Sequence, residues 1–393
     1  MRHDPLDFLA QALSGLREQG LYQRLRVLDG AQGPHASVDH RSVVNLSSNN
    51  YLGLTTHPLL QERALEATRT LGVGSGSVRT IAGTMAIHLE LERRLAEFKQ
   101  TEAAVVFQSG FTANAGTVAA LLGRDDLIVS DELNHASIID GARLSRATIK
   151  VFPHRDVAAA RRLLEERPRG QRTLLITDGV FSMDGDLGAL PALCDLAEEF
   201  GCIMMVDDAH ASGVFGRQGR GTVDHFGLHG RVDVQVGTLS KAVGVLGGYV
   251  AGSRSLVEFL YHRARPFLFS TSHPPGVAAA CIAALDVLQQ EPERIERLWE
   301  NTRFFKEGLA ALGFDTGHSE SPITPVMVGD AALAMTLSAR LFEAGVFAQG
   351  IAFPTVPQGK ARVRTIVTAT HTREELAFAL ECFGTIGTRL GLR

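Results

Sequence analysis

Between residues 103 and 251 the chain alternates short, almost uninterrupted apolar runs with longer stretches whose apolar residues recur every three or four positions. The runs at 103–107, 127–130, 148–152, 173–177, 202–207, 233–237 and 248–251 are the length of strands, and their lack of polar alternation predicts burial on both faces. Between them lie helical patterns such as 187–200, where Leu190, Leu193, Ala197 and Phe200 share one face. This alternation predicts the α/β class, with a mostly parallel, helix-covered sheet in a large domain over 45–275. Ligands of such sheets bind beyond the carboxyl ends of the strands.

After the Pro274-Pro275 pair, read as a breaker, the pattern turns helical to about residue 312. TPVMV and ARVRTIV then predict short strands, and 372–390 a closing helix. Residues 276–393 therefore read as a smaller α+β domain. Residues 1–44 read as a helix and a loop placed to lie across a neighbouring subunit or the domain cleft.

A length of 393 residues exceeds what one hydrophobic core usually organises, which agrees with two domains. Lys plus Arg number 39 against 43 Asp plus Glu, so no broad basic field favours nucleic acid or anionic lipid, and small-molecule partners are expected. Cys194, Cys202, Cys281 and Cys382 are scattered without a CxxC pair, which predicts reduced thiols and a cytoplasmic location. The amino-terminal pattern, with Asp4 and Asp7, lacks a signal-peptide core, and no stretch reaches the ~20 apolar residues of a membrane helix.

The candidate chemistry sits at strand ends: DGVFSMDGD at 178–186, VDDAH at 206–210 and GTLSKA at 237–242. Lys241 lies among small and apolar residues, where desolvation disfavours the charged amine and frees it for a Schiff base; the plain alternative is a surface lysine at a helix start. Gly244, Gly247 and Gly248 follow it and would let a planar ligand or phosphate approach the backbone. Asp207 ends the run CIMMVD, and a carboxylate at that depth needs a cation, such as the pyridinium nitrogen of pyridoxal 5′-phosphate (PLP), unless it merely caps a helix. His210 and Ser182 could hydrogen-bond the ring's phenolic oxygen.

Ser109-Gly110-Phe111, between a predicted strand and a helix, offers backbone donors for a phosphate, and Thr238 a hydroxyl. GVGSGSVR lacks the GxGxxG fingerprint of a dinucleotide site. His135 could stack on a cofactor face. His225 and His229 have i, i+4 spacing but no third ligand, so no metal site is assigned. Arg364 or Arg362, two apart on one strand face, could grip a substrate carboxylate, and spacing alone does not choose between them.

Taken together, NNYLGL, DELNHASIIDG, GVFSMDGD, VDDAHASGVFG, GTLSKA and RPFLFSTS resemble the α-oxoamine synthase family of fold-type I PLP enzymes, over nearly the whole chain. The resemblance implies Lys241 as the Schiff-base residue, Asp207 on the ring nitrogen, His210 and Ser182 near the ring oxygen, and His135 stacked on the ring. It places Gly110, Phe111 and Thr238 around the phosphate and makes Asn50 and Arg364 substrate contacts. It also implies a homodimer with shared active sites, in which Thr271 or Ser272 reaches the partner's phosphate. Within the family, MDGD, VDDAH and the closing VPQGKARVRT resemble most the glycine C-acetyltransferase branch, which condenses glycine with acetyl-CoA. A neighbouring branch instead condenses alanine with pimeloyl-CoA and releases carbon dioxide.

Overall fold

The computed structural model describes residues 5–18, 22 and 24–393, so Asp4 of the amino-terminal pattern lies outside the described residues. The seven predicted strands form one sheet in the spatial order Ala103–Phe107, Gly248–Gly252, Val234–Thr238, Ile203–Asp207, Thr173–Asp178, Leu127–Asp131 and Thr148–Phe152. Gly248–Gly252 runs antiparallel to both neighbours, and every other pair is parallel.

The continuous apolar runs are explained by helices on both faces. On one, Val105, Ile128, Leu174, Met205 and Val236 pack with helices Gly110–Leu121, Ala136–Ser145 and Arg254–Arg263. On the other, Val129, Leu175, Met204 and Val206 pack with Val157–Glu165 and Leu190–Phe200. The last helix begins three residues later than its apolar spacing predicts. Leu187 forms a bridge with Val180, and the Gly188 amide donates to the Gly179 carbonyl, which keeps 187–189 in the loop.

The helical stretch expected after the proline pair begins within it: Pro275 occupies the first turn of Pro275–Gln290, where its fixed φ fits and its missing N–H is no loss. That helix packs on Pro58–Leu71 and Ala86–Lys99 beside the large sheet. The smaller C-terminal domain holds a three-stranded antiparallel sheet in the order Ile323–Gly329, Ala361–Ile366, Gln349–Ile351, with helices Ala331–Glu343 and Arg373–Arg389. Within 1–44, the helix Asp7–Glu18 buries none of its residues, and a hairpin of His35–Val38 and Arg41–Asn45 follows. Its second strand pairs in parallel with Val346–Phe347 of the C-terminal domain. Among the described residues no helix is long and apolar enough to cross a membrane.

Candidate active site

Parallel pairing brings the strand ends level: Asp178 is in register with Asp207, and Asp207 with Val236, two residues before Thr238. A cavity of about 190 Å³ opens there. Its wall includes Ser109, Gly110, Phe111, His135, Ser182, Asp207, His210, Thr238 and Lys241, together with Asn114, Ser137, Asp178 and Ser240. A larger concavity of about 1020 Å³ lies at the opposite ends of the same strands, lined by Gln100, Ile203 and Gln235 among others, and it gathers no lysine or histidine. The smaller one is therefore where the chemistry converges.

Asp207 is buried, and both carboxylate oxygens are held: Asn114 Nδ2 donates to Oδ2 at 2.6 Å and the Ala209 amide to Oδ1 at 2.8 Å. Asn114 also donates to Ser137 Oγ at 2.9 Å, and Ser137 Oγ lies 2.7 Å from His135 Nδ1. One chain of hydrogen bonds thus links the carboxylate to the imidazole that faces the cavity. The His135 amide in turn donates to Asp178 Oδ2 at 3.1 Å. Burial, and the adjacent Asp207, push the Asp178 carboxyl well above the usual range.

The Lys241 amine is pushed down to about 8, chiefly by burial and against the pull of Asp207 and Asp178. A lysine at that value holds an appreciable unprotonated fraction near neutrality. Burial, with Lys241 and Arg364 nearby, pushes the His210 imidazole far below its ordinary value, so it is neutral. Its Nδ1 lies 2.7 Å from the Tyr51 hydroxyl, a phenol that burial keeps protonated. With that phenol as donor, Nδ1 accepts and the ring's proton sits on Nε2.

Ser109 caps the helix Gly110–Leu121, its Oγ accepting from the Thr112 amide at 3.1 Å. Its hydroxyl is committed to the helix, which leaves the first-turn amides of Gly110 and Phe111 for an anion. Thr238 Oγ1 lies 2.7 Å from Ser240 Oγ at the same end. The glycines after Lys241 serve a different purpose from the expected one: a Cβ on Gly248 would stand 2.3 Å from the Ser109 carbonyl oxygen, and one on Gly244 2.9 Å from the Thr55 amide. They admit neighbouring backbone, which locks the anion turn and the lysine turn in place.

The arginine tie is broken by partners. Arg362 is spent on the Asp184 carboxylate and the carbonyls of Met183 and Lys360. The Arg364 guanidinium makes one hydrogen bond among the described residues, from Nη1 to the Ser182 carbonyl at 3.0 Å, and it stands outside the cavity wall, although its charge is felt by Lys241 and His210. Asn50 stands outside the cavity wall, with Nδ2 donating to Thr55 Oγ1 at 2.7 Å. Thr271 and Ser272 are also outside it: the Ser272 hydroxyl is used by Ser75 and Gly83, and Thr271 is exposed.

The wall fits PLP on its own terms. Asn114 Oδ1 and Asp178 Oδ1 are buried without a partner among the described residues, and an anion-accepting helix start, a desolvated amine and a braced carboxylate share the wall. Asn114, Ser137, Asp178 and Tyr51 carry no role in the expectations from sequence. Asp178 and Tyr51 do fall inside quoted motifs, DGVFSMDGD and NNYLGL, which is the signal that could have found them.

Comparison with known proteins agrees with this geometry. The aminotransferase class I and II family matches residues 41–383. An 8-amino-7-oxononanoate synthase of Symbiobacterium thermophilum is 64% identical over 98% of this chain and 99% of its own, and one of Thermoanaerobacter pseudethanolicus is 56% identical over 99% of each. A serine palmitoyltransferase from S. paucimobilis, solved with a bound PLP–myriocin aldimine, superposes with a TM-score of 0.94 at 32% identity over 100% of both chains. These relatives overturn the expected glycine C-acetyltransferase reading. The chain belongs to the aminotransferase class I and II family of fold-type I, PLP-dependent enzymes, in its α-oxoamine synthase-like group.

Proposed function

We propose that this protein condenses alanine with pimeloyl-CoA, releasing CoA and carbon dioxide and forming 8-amino-7-oxononanoate. The observation that carries the choice of substrates is the run of relatives of that name at 53 to 64% identity over at least 95% of this chain, against 32% for the serine palmitoyltransferases.

When bound, PLP supplies an aldehyde for the amino group and a cationic ring that draws electrons from the α-carbon. The Lys241 amine would join that aldehyde and then take the α-proton, a role supported by its lowered basicity, which leaves an appreciable unprotonated fraction near neutrality. Asp207, held as an acceptor by Asn114 and Ala209, would pair with a protonated ring nitrogen. His135 would stack on the ring. His210 Nε2–H and the Ser182 hydroxyl would serve the ring oxygen, while Gly110, Phe111 and Thr238 would hold the phosphate.

Arg364 binds the amino acid's carboxylate until it leaves as carbon dioxide, and Asn50 is a second substrate contact. A homodimer with shared active sites belongs to the same proposal, and the exposure of Thr271 outside this chain's own cavity leaves it free to serve a second copy. So does a cytoplasmic location, supported by four unpaired cysteines.

The test incubates the holoenzyme with alanine, serine or glycine against pimeloyl-, palmitoyl- and acetyl-CoA, following free thiol and carbon dioxide. Equal release of both products with alanine and pimeloyl-CoA, at least about tenfold faster than any other pair, is expected. Thiol release without carbon dioxide, or preference for another pair, would contradict it.

A further inference from the structure

Residues 181–187 form a tight loop, closed by the Val180–Leu187 bridge and by the Phe181 amide donating to the Asp186 carbonyl at 3.0 Å. The loop carries Ser182 into the cavity wall, and its carbonyls at Ser182 and Met183 receive Arg364 and Arg362 from the C-terminal domain. Something must hold this loop, because it meets the large sheet at one end and the other domain along its length.

His154, just beyond the edge strand Thr148–Phe152, meets that need. Its Nδ1 donates to Asp131 Oδ1 at 3.0 Å, its Nε2 to Asp186 Oδ2 at 2.8 Å, and the ring stands edge-on to Phe181 with centroids 4.3 Å apart. A ring that donates from both nitrogens is an imidazolium. Burial opposes the charge, but hydrogen bonds to the two carboxylates raise its pKa to about 9.

The surrounding charges continue the tie. The Arg155 amide donates to Asp131 Oδ2 at 2.9 Å, and its guanidinium stands 3.5 Å from Asp186 and 3.4 Å from Glu320. Glu320 accepts from the Leu187 amide, its own amide donates to the Gly185 carbonyl, and Glu132 accepts from the His154 amide. Lys306 adds a further charge near Glu320. A Cβ on Gly185 would lie 2.4 Å from the Ile323 carbonyl oxygen, so the loop has no slack on the domain side.

We infer that His154 is a positioning residue for the amino-acid substrate, holding residues 181–187 so that the Ser182 carbonyl keeps the Arg364 guanidinium close to Lys241 and His210. The inference rests on the proposed reading of Arg364 as the carboxylate ligand. Because the pKa is raised, the clamp is complete below the ordinary histidine value and is lost as pH rises through about 9.

The test measures KM for alanine and for pimeloyl-CoA with wild-type, His154→Gln, Asp186→Asn and Arg364→Ala holoenzymes across that pH range. His154→Gln and Asp186→Asn should each raise KM for alanine about tenfold near neutrality, with kcat changed less than about twofold and KM for pimeloyl-CoA unchanged. The wild type should show a rise in KM for alanine near the His154 pKa, beyond the titration of alanine's own amine, and His154→Gln should not. A merely structural role would move kcat and both KM values together, and that result, or an unchanged KM for alanine, overturns the inference. Should His154→Gln fail to fold, Asp186→Asn decides by the same criteria. If Arg364→Ala leaves KM for alanine unchanged, the reading of Arg364 falls and takes this one with it. If Arg364→Ala raises that KM and His154→Gln does not, only the inference about His154 falls.

Discussion

Asn114 Nδ2 donates to Asp207 Oδ2 at 2.6 Å from inside the helix Gly110–Leu121, the same helix whose first turn faces the phosphate position. One element thereby sets two ends of the cofactor site. Replacing Asn114 by Leu keeps the branched outline and removes a hydrogen bond to a buried charge, an interaction worth about 1.5–3 kcal/mol. PLP affinity should fall about tenfold to a hundredfold, measured by titrating the apoenzyme and following visible absorbance. An unchanged Kd would show that Asp207 needs no brace.

Tyr51→Phe deletes the hydroxyl 2.7 Å from His210 Nδ1. His210 loses the partner that fixes its tautomer, so its remaining N–H is no longer directed at the cavity. A fall in kcat of about tenfold or more, with little change in melting temperature, is expected. Equal losses in stability and kcat would assign Tyr51 to packing alone.

Lys99 and Asp208 form an ion pair 2.8 Å apart with no solvent exposure on either side chain. It sits under the turn that carries Asp207 and His210. Lys99→Met leaves a buried carboxylate without its cation, which costs about 3–5 kcal/mol. Urea denaturation would show this as a lower midpoint, and a wild-type midpoint would contradict it.

Capture of PLP by the apoenzyme needs the neutral Lys241 amine. Burial pushes its pKa down to about 8, so the neutral fraction grows as pH rises through that value and levels off above it. Stopped-flow absorbance should show a capture rate rising with pH and reaching a plateau above about 8. A rate that climbs toward the ordinary lysine value without levelling would place the amine in water.

The seven strands and their chemical tips are legible in the sequence because burial on both faces leaves runs without alternation, and parallel strands put their carboxyl ends on one side. Asn114 was not legible, since a polar residue within TANAGTVAAL has the same local pattern whether it faces solvent or a buried carboxylate. Nor was the pairing of Tyr51 with His210, which are 159 residues apart and meet only through tertiary packing. The proline pair was legible as a break before a helix, because a fixed φ fits the first helical turn. The acyl chain was misread for a chemical reason: a lysine, a carboxylate and a histidine suited to a pyridine ring carry no information about which thioester arrives.

The central claim is that Lys241 carries the cofactor, and the chain has five lysines with which to test it. Lys306 shares a pKa lowered to about 8, yet it binds Ser319 and does not line the cavity, so position and basicity make different predictions. Borohydride reduction of the holoenzyme followed by peptide mass mapping separates them. The phosphopyridoxyl group should be found on Lys241 alone; finding it on Lys306 or another lysine, or finding undiminished labelling and visible absorbance in Lys241→Ala, would contradict the account.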